Sequence, residues 1–217
     1  MSSSAGQKAC REGHACLATG RTPMSYVGGD TSDLAAHLPK LPHIVLLFRQ
    51  LMSLHLATTS APSSAYAAPL SRDGKVKVAN SLGVAHQLHR GSSKEGVQLY
   101  AGNGKFDFVQ IVGGDNNDEV WFGQLLLLFS YKTAWAENEC AFVRWLTSAQ
   151  RPAHAANVRL KPMRWSMISA TGIRGKVSQT DIVPVKSIIG PCFMQPDPIS
   201  DNIFYYNHWI GNTANDD

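Results

Sequence analysis

The chain has 217 residues, a formal net charge of +4 and a hydrophobic share of 44%, while charged residues make up 17%. This length fits one domain with an extension, or two small domains, and it excludes a large multidomain protein. The hydrophobic share suffices for a buried core, which excludes a chain that is disordered throughout, and the mild charge excludes a histone-like protein that is basic everywhere.

The N-terminus and the cysteines bear on the cellular compartment. The first residues lack the apolar run of a secretory signal peptide, and the longest nearly apolar stretch, Val120 to Phe129, is about half as long as a bilayer-spanning helix. The cysteines are too scattered to form a disulfide framework. We therefore expect a soluble, intracellular protein without membrane contact. The cysteines are Cys10, Cys16, Cys140 and Cys192.

One amphipathic helix is predicted in the first half of the chain. Apolar residues recur at helical spacing from Leu41 to Met52, and Pro42 suits a first helical turn, which predicts a helix over about residues 42–56. Residues 57–69 are rich in Ala, Ser, Thr and Pro and are interpreted as a linker. We therefore expect residues 1–95 to form a flexible segment with one helix, and the pattern leaves open whether this helix docks on the rest of the protein.

The second half changes to the two-residue period of β-strands. Residues 97–100 and 106–112 flank Gly102-Asn103-Gly104, a strong hairpin signal. Val120 to Tyr131 is an apolar run whose aromatic start and Gly123 favour a long buried strand over a helix. These strands, together with the remaining ones, predict a mainly β domain over residues 96–217 that forms a small barrel or sandwich. The remaining predicted strands lie at residues 140–146, 163–167, 188–194 and 203–206.

Three blocks of the second half carry a family resemblance. They are Trp121-Phe-Gly-Gln-Leu-Leu-Leu-Leu-Phe129, Ala141-Phe-Val-Arg-Trp145, and Asp181-Ile-Val-Pro-Val-Lys-Ser-Ile-Ile-Gly-Pro-Cys192 leading to Phe204-Tyr-Tyr206. Over about residues 97–210 the chain resembles a bromo-adjacent homology (BAH) domain, a β-barrel module of chromatin proteins. It departs from that family at Gln150-Arg-Pro152 and Met163-Arg-Trp-Ser-Met167. The resemblance implies a BAH-like barrel that binds chromatin and has no catalytic role.

A looser similarity concerns three shorter sequence segments. Asp33-Leu-Ala-Ala-His-Leu-Pro-Lys-Leu-Pro42, Phe193-Met-Gln-Pro-Asp-Pro198 and Phe204-Tyr-Tyr-Asn207 are similar to the C-terminal region of transposase-like proteins of eukaryotic mobile elements. This similarity implies the tail of a transposon-encoded protein without its catalytic core.

The clearest physical signal is a basic segment between Glu139 and Asp181, in which no acidic residue occurs. Such a stretch can follow a phosphate backbone, because each neutralised phosphate releases a condensed counterion. The alternative is a solvated surface facing the acidic turn at residues 115–119. The predicted nucleic-acid-binding residues are Arg144, Arg151, Arg159, Lys161, Arg164, Arg174 and Lys176.

Aromatic residues form a second candidate site. BAH-like modules that recognise methyl-lysine do so with a cage of rings whose faces attract a cation. The resemblance therefore offers a possible cage for a histone tail, whereas aromatic residues in strands more often belong to a core. The candidates are Tyr131, Trp135, Trp165, Tyr206 and Trp209.

No pattern in the sequence predicts an enzyme, a cofactor or a metal site. Cys10, His14 and Cys16 lack a nearby fourth ligand for zinc. Cys192 lies among apolar residues and suits a buried thiol better than a nucleophile paired with His208. Four carboxylates would suit a two-metal nuclease, but most fall where a turn or hairpin favours aspartate. They are Asp107, Asp115, Asp118 and Asp181.

The sequence thus predicts a non-catalytic, nuclear module that associates with chromatin or nucleic acid through residues 144–176. The main alternative is a structural or protein-interaction domain without nucleic-acid contact. The oligomeric state is not predicted.

Overall fold

The structure is a computed structural model that describes residues 16–17, 22–25, 35–59, 75–86, 95–102, 104–113, 119–132, 137–156 and 158–207. Within these residues the protein is mainly β, with antiparallel sheets and one long helix. None of the described helices has the length and apolar character needed to cross a bilayer.

The secondary structure consists of one long α-helix, a series of strands and two 3₁₀ turns at Ala153–Ala155 and Val185–Ser187. The helix is α1 (Ile44–Thr59), and the strands are β1 (Cys16–Leu17), β2 (Thr22–Ser25), β3 (Lys75–Ala79), β4 (Ser81–His86), β5 (Glu95–Gly102), β6 (Lys105–Phe106), β7 (Phe108–Gly113), β8 (Glu119–Lys132), β9 (Glu137–Ser148), β10 (Lys161–Trp165), β11 (Met167–Ser169), β12 (Lys176–Ser178), β13 (Thr180–Pro184), β14 (Ile188–Pro191), β15 (Met194–Pro196) and β16 (Ile203–Tyr206).

Most strands belong to one large antiparallel sheet. Its strand order is β14-β7-β8-β9-β10-β16-β15, with β13 paired to β9, β3 paired to β8 and β2 paired to β3. A second sheet has the order β1-β4-β5-β6, and β11 and β12 form a separate two-stranded ribbon. The large sheet therefore carries the architecture, and β8 and β9 lie at its centre.

A β-bulge in β8 decides which side chains face each side of the large sheet. The pairing of β8 with β9 shifts register between Leu125 and Leu127. Leu125 belongs to one core cluster, while Leu126 and Leu127 belong to another. Because the extra residue reverses the alternation of side chains, the continuous apolar run of β8 fills both faces of the sheet.

Both faces of the large sheet are covered. On one side, which we call the helix face, Phe48 of α1 is fully buried and contacts Phe129 and Phe142 with ring centroids 5.4 and 5.2 Å apart. On the opposite face, the second sheet contributes Leu82 and Leu99 to a core shared with β7, β8 and β9. A third cluster surrounds Met163 and Tyr206 near β10 and β16.

Several predicted elements are confirmed. The helix predicted over residues 42–56 is α1, which begins two residues after Pro42. The long buried strand predicted from Val120 to Tyr131 is β8. The predicted hairpin is formed by β5 and β6, although Asn103 at its tip lies outside the described residues. The mainly β class is therefore confirmed.

The predicted closed barrel is not found within the described part of the chain. A barrel needs its first and last strands to pair. Here β14 pairs with β7 at one end of the strand order, and β15 pairs with β16 at the other end. The described strands therefore form an open sheet.

The predicted division at residue 95 does not separate a flexible segment from the folded domain. Val76 and Val78 of β3 are buried, and β3 pairs with β8. Together with α1 they complete the core around Phe129. The alternation of β3 spans five residues and includes two lysines, which is too short and too polar to stand out in the sequence. The predicted linker at 57–69 overlaps the end of α1, and its residues from 60 onward lie outside the described residues.

Candidate nucleic-acid interface

A two-stranded arm leaves the large sheet at the point where β9 changes its partner strand. Along one edge β9 pairs with β13 and then with β10. At the junction the Trp145 N–H donates to the Gln179 carbonyl at 2.9 Å, and the Trp145 carbonyl accepts from the Ser166 N–H at 3.0 Å. Beyond this closure β11 pairs with β12. Residues 167–178 therefore form a β-hairpin, which we call the arm.

Arg144 ties the base of the arm to the sheet. Its guanidinium carbon lies 3.6 Å from the centroid of the Trp165 ring, and its Nε donates to Ser178 Oγ at 2.9 Å. Burial lowers the pKa of Arg144 to about 10, so that the side chain is still a cation at neutral pH. The structure therefore gives this predicted phosphate ligand a structural contact with the arm.

Arg151 is engaged in the loop before β10. Its Nη2 donates to the Leu160 carbonyl at 3.0 Å, and its Nη1 is buried without a hydrogen-bond partner among the described residues. This geometry closes the loop over residues 151–160. Like Arg144, Arg151 is only partly accessible to a ligand.

The other predicted cations are exposed, and none of them forms an ion pair with a residue that the structure describes. Because the chain has no acidic residue between Glu139 and Asp181, these charges have no acidic neighbour within their own segment. The result is a region of exposed positive charge that extends from the loop before β10 to the arm. Its members are Arg159, Lys161, Arg164, Arg174 and Lys176.

The cations surround β10 instead of forming one flat patch. Lys161 Nζ lies 6.0 Å from the centroid of the Phe122 ring, on the side of the third cluster. Arg164 pairs with Thr147, two residues from Trp145, and therefore points to the opposite face by strand alternation. Because β10 lies between β9 and β16, Lys161 and Arg164 project from opposite faces of the sheet.

The three aromatic candidates that the structure describes do not converge in a cage. Tyr206 is buried with its ring 4.6 Å from that of Phe122, whereas Tyr131 is buried beside α1. Phe122 and Tyr131 lie at the two ends of β8, roughly 30 Å apart. The ring of Trp165 is already in contact with the guanidinium of Arg144. The two remaining candidates, Trp135 and Trp209, lie outside the described residues.

A groove of about 500 Å³ is lined by residues from the start of β8, the end of β9, β10 and the base of the arm. Two tryptophans line it, and the ring of Trp121 is perpendicular to that of Trp145, with the centroids 5.6 Å apart. Trp121 is 44% exposed, and its Nε1 donates to Glu119 at 2.9 Å. We call this cavity the Trp121 groove, and its lining also includes Thr147, Lys161, Ser166, Gln179 and Asp181.

Sequence reasoning missed the Trp121 groove because it placed Trp121 inside a buried strand. The first three residues of β8, starting at Glu119, are in fact exposed. The polar turn that ends there is the signal that could have marked Trp121 as a residue at the mouth of the strand. Asp181 at the groove is partly shielded from water, which raises its pKa, although the Ile182 N–H and His55 act in the opposite direction.

Asp197 anchors the segment between β15 and β16. Its carboxylate accepts hydrogen bonds from the Tyr205 hydroxyl at 2.6 Å and from His154 Nε2 at 3.0 Å. The backbone N–H groups of Ile199 and Ser200 add two more, each at 2.8 Å. These hydrogen bonds, that of Tyr205 first, hold the pKa of Asp197 well below its usual range.

In the described parts of the chain, the side chains considered for catalysis are either buried or engaged in structural hydrogen bonds. Burial raises the pKa of the Cys192 thiol to about 12, which suppresses the thiolate needed for a nucleophile. Asp107 accepts a hydrogen bond from the Tyr100 N–H at 2.8 Å, as expected for a hairpin position. No three His, Cys, Asp or Glu side chains among the described residues lie close enough to hold a metal. His208, Asp115 and Asp118 lie outside those residues.

Comparisons of the chain with models of protein families, with curated proteins and with solved structures found no match.

Proposed function

We propose that this protein is a binding module that associates with nucleic acid through β10 and the arm. The observation that carries the proposal is the set of exposed cations between Arg159 and Lys176, which have no acidic partner in their segment. Phosphate contacts by such side chains supply most of the affinity in sequence-independent binding. A BAH-like role in chromatin, with a nuclear location, belongs to the same proposal.

The shape of the arm supports this partner. It is a two-stranded ribbon with Arg174 beside its turn and Lys176 on β12. The major groove of duplex DNA admits a two-stranded β-ribbon, whose side chains can then reach phosphates on both sides. The exposed cations Arg174 and Lys176 suit such a partner, because phosphates would flank the ribbon.

The same charge disfavours a histone tail as the partner. Histone tails are rich in lysine and arginine, and like charges brought together across an interface are repelled. Tyr131 and Tyr206 lie in separate core clusters, so these two candidates share no cage that would compensate that repulsion. Nucleic acid is therefore the partner that the electrostatics favour.

The test is the salt dependence of binding to a labelled random duplex, measured by fluorescence anisotropy. The logarithm of affinity should fall linearly with the logarithm of salt concentration, with a slope near −0.9 for each phosphate neutralised. The double variant Arg174→Ala, Lys176→Ala removes two exposed charges from the arm. It should reduce the magnitude of the slope by about one to two.

The matched control removes the same charge elsewhere. Lys40 and Lys77 are exposed, and Lys77 pairs with Ser130 at the end of β8 that lies away from the arm. The double variant Lys40→Ala, Lys77→Ala should keep the parent slope. An affinity weaker than about 100 μM at low salt, or an equal slope for parent and arm variant, would overturn the proposal.

One observation favours protein interaction as a second candidate function. Met167 and Ile168 on the arm are 44% and 40% exposed, and exposed apolar residues mark contact surfaces. In that case the arm would bind a partner protein through apolar contacts. The protein would then be either a free-standing interaction domain or the tail of a transposon-encoded protein. Binding of a protein partner that persists at high salt and is lost in Met167→Ser, Ile168→Ser would support this candidate.

A further inference from the structure

We infer that the Trp121 groove receives an unpaired base of a single-stranded nucleic acid, an inference that rests on the proposed function. Trp121 presents a large exposed ring, and base stacking on aromatic side chains is the main device for binding single strands. A base inside a duplex is stacked on both faces, whereas an unpaired base can enter the groove. At about 500 Å³ the groove falls in the ordinary range of ligand sites.

The Trp121 ring is held in place before any ligand arrives. One face lies directly over Gly113, where an added methyl group would overlap the indole. Its plane is perpendicular to that of the Trp145 ring, with the centroids 5.6 Å apart, and its Nε1 is fixed by the hydrogen bond to Glu119. An aromatic ring fixed on three sides loses little conformational freedom on binding, which favours stacking by the remaining open surface.

The polar wall of the groove suits the edge of a base. The Gln179 Oε1 accepts from the Ser166 hydroxyl at 2.7 Å, which leaves the amide N–H₂ as a donor without a partner among the described residues. Asp181 also lines the groove and supplies an acceptor. Unpaired bases are read through donors and acceptors of this kind on their exposed edges.

The backbone of the ligand also has a partner. Lys161 lines the groove, where its Nζ lies 6.0 Å from the centroid of the Phe122 ring, and its side chain is exposed. A phosphate on the nucleotide beside the stacked base can therefore meet this ammonium group, while the neighbouring phosphates follow the arm. This combination of an aromatic surface with a cationic border is the arrangement of single-strand binding sites.

The experiment compares Trp121→Ala with the parent on one labelled 12-mer, offered as single-stranded RNA, as single-stranded DNA and as a DNA duplex. Affinity for the single strand should fall about 5-fold to 150-fold, while duplex affinity and the salt slope stay within error. Trp121→Phe should keep most of the affinity, because a smaller ring still stacks. The exposed aromatic Phe193 gives the control: Phe193→Ala should bind like the parent.

Gly113→Ala provides a second variant, since the added methyl group displaces the Trp121 ring while leaving it in the chain. It should lose single-strand affinity in parallel with Trp121→Ala, and thermal melting should show that both variants are folded. A preference for RNA or for DNA identifies the source of the strand, and either preference supports the inference.

The experiment gives different results if this inference is wrong and if the proposed function is wrong. If folded Trp121→Ala binds the single strand like the parent while the arm variant weakens binding, the groove assignment is overturned and the arm remains the binding site. If the parent binds none of the three oligonucleotides at low salt, the proposed function and the inference both fall.

Discussion

Arg144 and Trp165 form the contact that fixes the base of the arm, with the guanidinium carbon 3.6 Å from the centroid of the indole ring. Phe108 lies near the same ring in a stacked arrangement, with centroids 5.9 Å apart. Because Arg144 also donates to Ser178 on β12, one side chain links β9, β10 and the arm. The position of the arm relative to the sheet therefore depends on a guanidinium.

We expect Arg144→Ala to lower the free energy of unfolding by about 1–3 kcal/mol, through loss of the ring contact and of the hydrogen bond to Ser178. Arg144→Lys should recover less than half of this loss, because an ammonium cannot lie flat on the ring while donating sideways. Urea denaturation measures the change, and hydrogen exchange should locate it in residues 167–178. Exposed Arg164 is the control, and Arg164→Lys should be neutral. Equal stability of Arg144→Lys and the parent would contradict the structural role.

The helix contact gives a second prediction. Phe48 is fully buried between Phe129 and Phe142, whereas Leu54 on the same helix is 61% exposed. Phe48→Ala should reduce the free energy of unfolding by about 3–5 kcal/mol, because it opens a cavity in the core. Leu54→Ala should change it by less than about 0.5 kcal/mol. Similar effects from both substitutions would show that α1 does not dock on the sheet.

A truncation tests the division of the chain at residue 95. A fragment of residues 96–217 lacks α1 and β3, which cover Phe129 and Tyr131 in the described core. This fragment should therefore bind a hydrophobic dye and lose a cooperative thermal transition, whereas residues 35–217 should keep both a low dye signal and a sharp transition. A cooperatively folded 96–217 fragment would restore the division that the sequence predicts.

Whether an element could be predicted from the sequence depends on whether its pattern is local or arises from residues far apart in the chain. α1 and β8 could be predicted because their apolar patterns are long and local. β3 could not, since its burial depends on pairing with Phe129 and its neighbours, some fifty residues away in the chain. A strand of five residues carries too little pattern to reveal such a partner.

The candidate site shows the same contrast between local sequence features and contacts that form only in the fold. The absence of acidic residues around Arg159 to Lys176 is a property of the sequence, and their exposure agrees with it. The burial of Arg144 against Trp165 is not readable from the sequence, because the two residues meet only after β9 and β10 pair. The Trp121 groove likewise depends on a contact between Trp121 and Trp145 across β8 and β9.

The hydrogen bonds of Asp197 predict how stability responds to acid. The pKa of this carboxyl is lowered in the folded protein, first by the Tyr205 hydroxyl and also by His154. An unfolded aspartate titrates near pH 4, at about 3.9. The ionised carboxylate therefore stabilises the fold above about pH 4, and this contribution is lost progressively as the pH falls towards the lower pKa of the folded state.

Thermal denaturation between pH 7 and pH 2 tests this response. The parent should lose stability steeply below about pH 4, whereas Asp197→Asn should be less stable at pH 7 and change less across the acid range, because it has no carboxylate to protonate. Tyr205→Phe removes the hydroxyl that donates to Asp197 and should move the acid transition to higher pH, while the variant Asp201→Asn at an exposed neighbouring residue should follow the parent. Parallel curves for the parent and Asp197→Asn would contradict the assignment, since the acid sensitivity would then arise elsewhere in the protein.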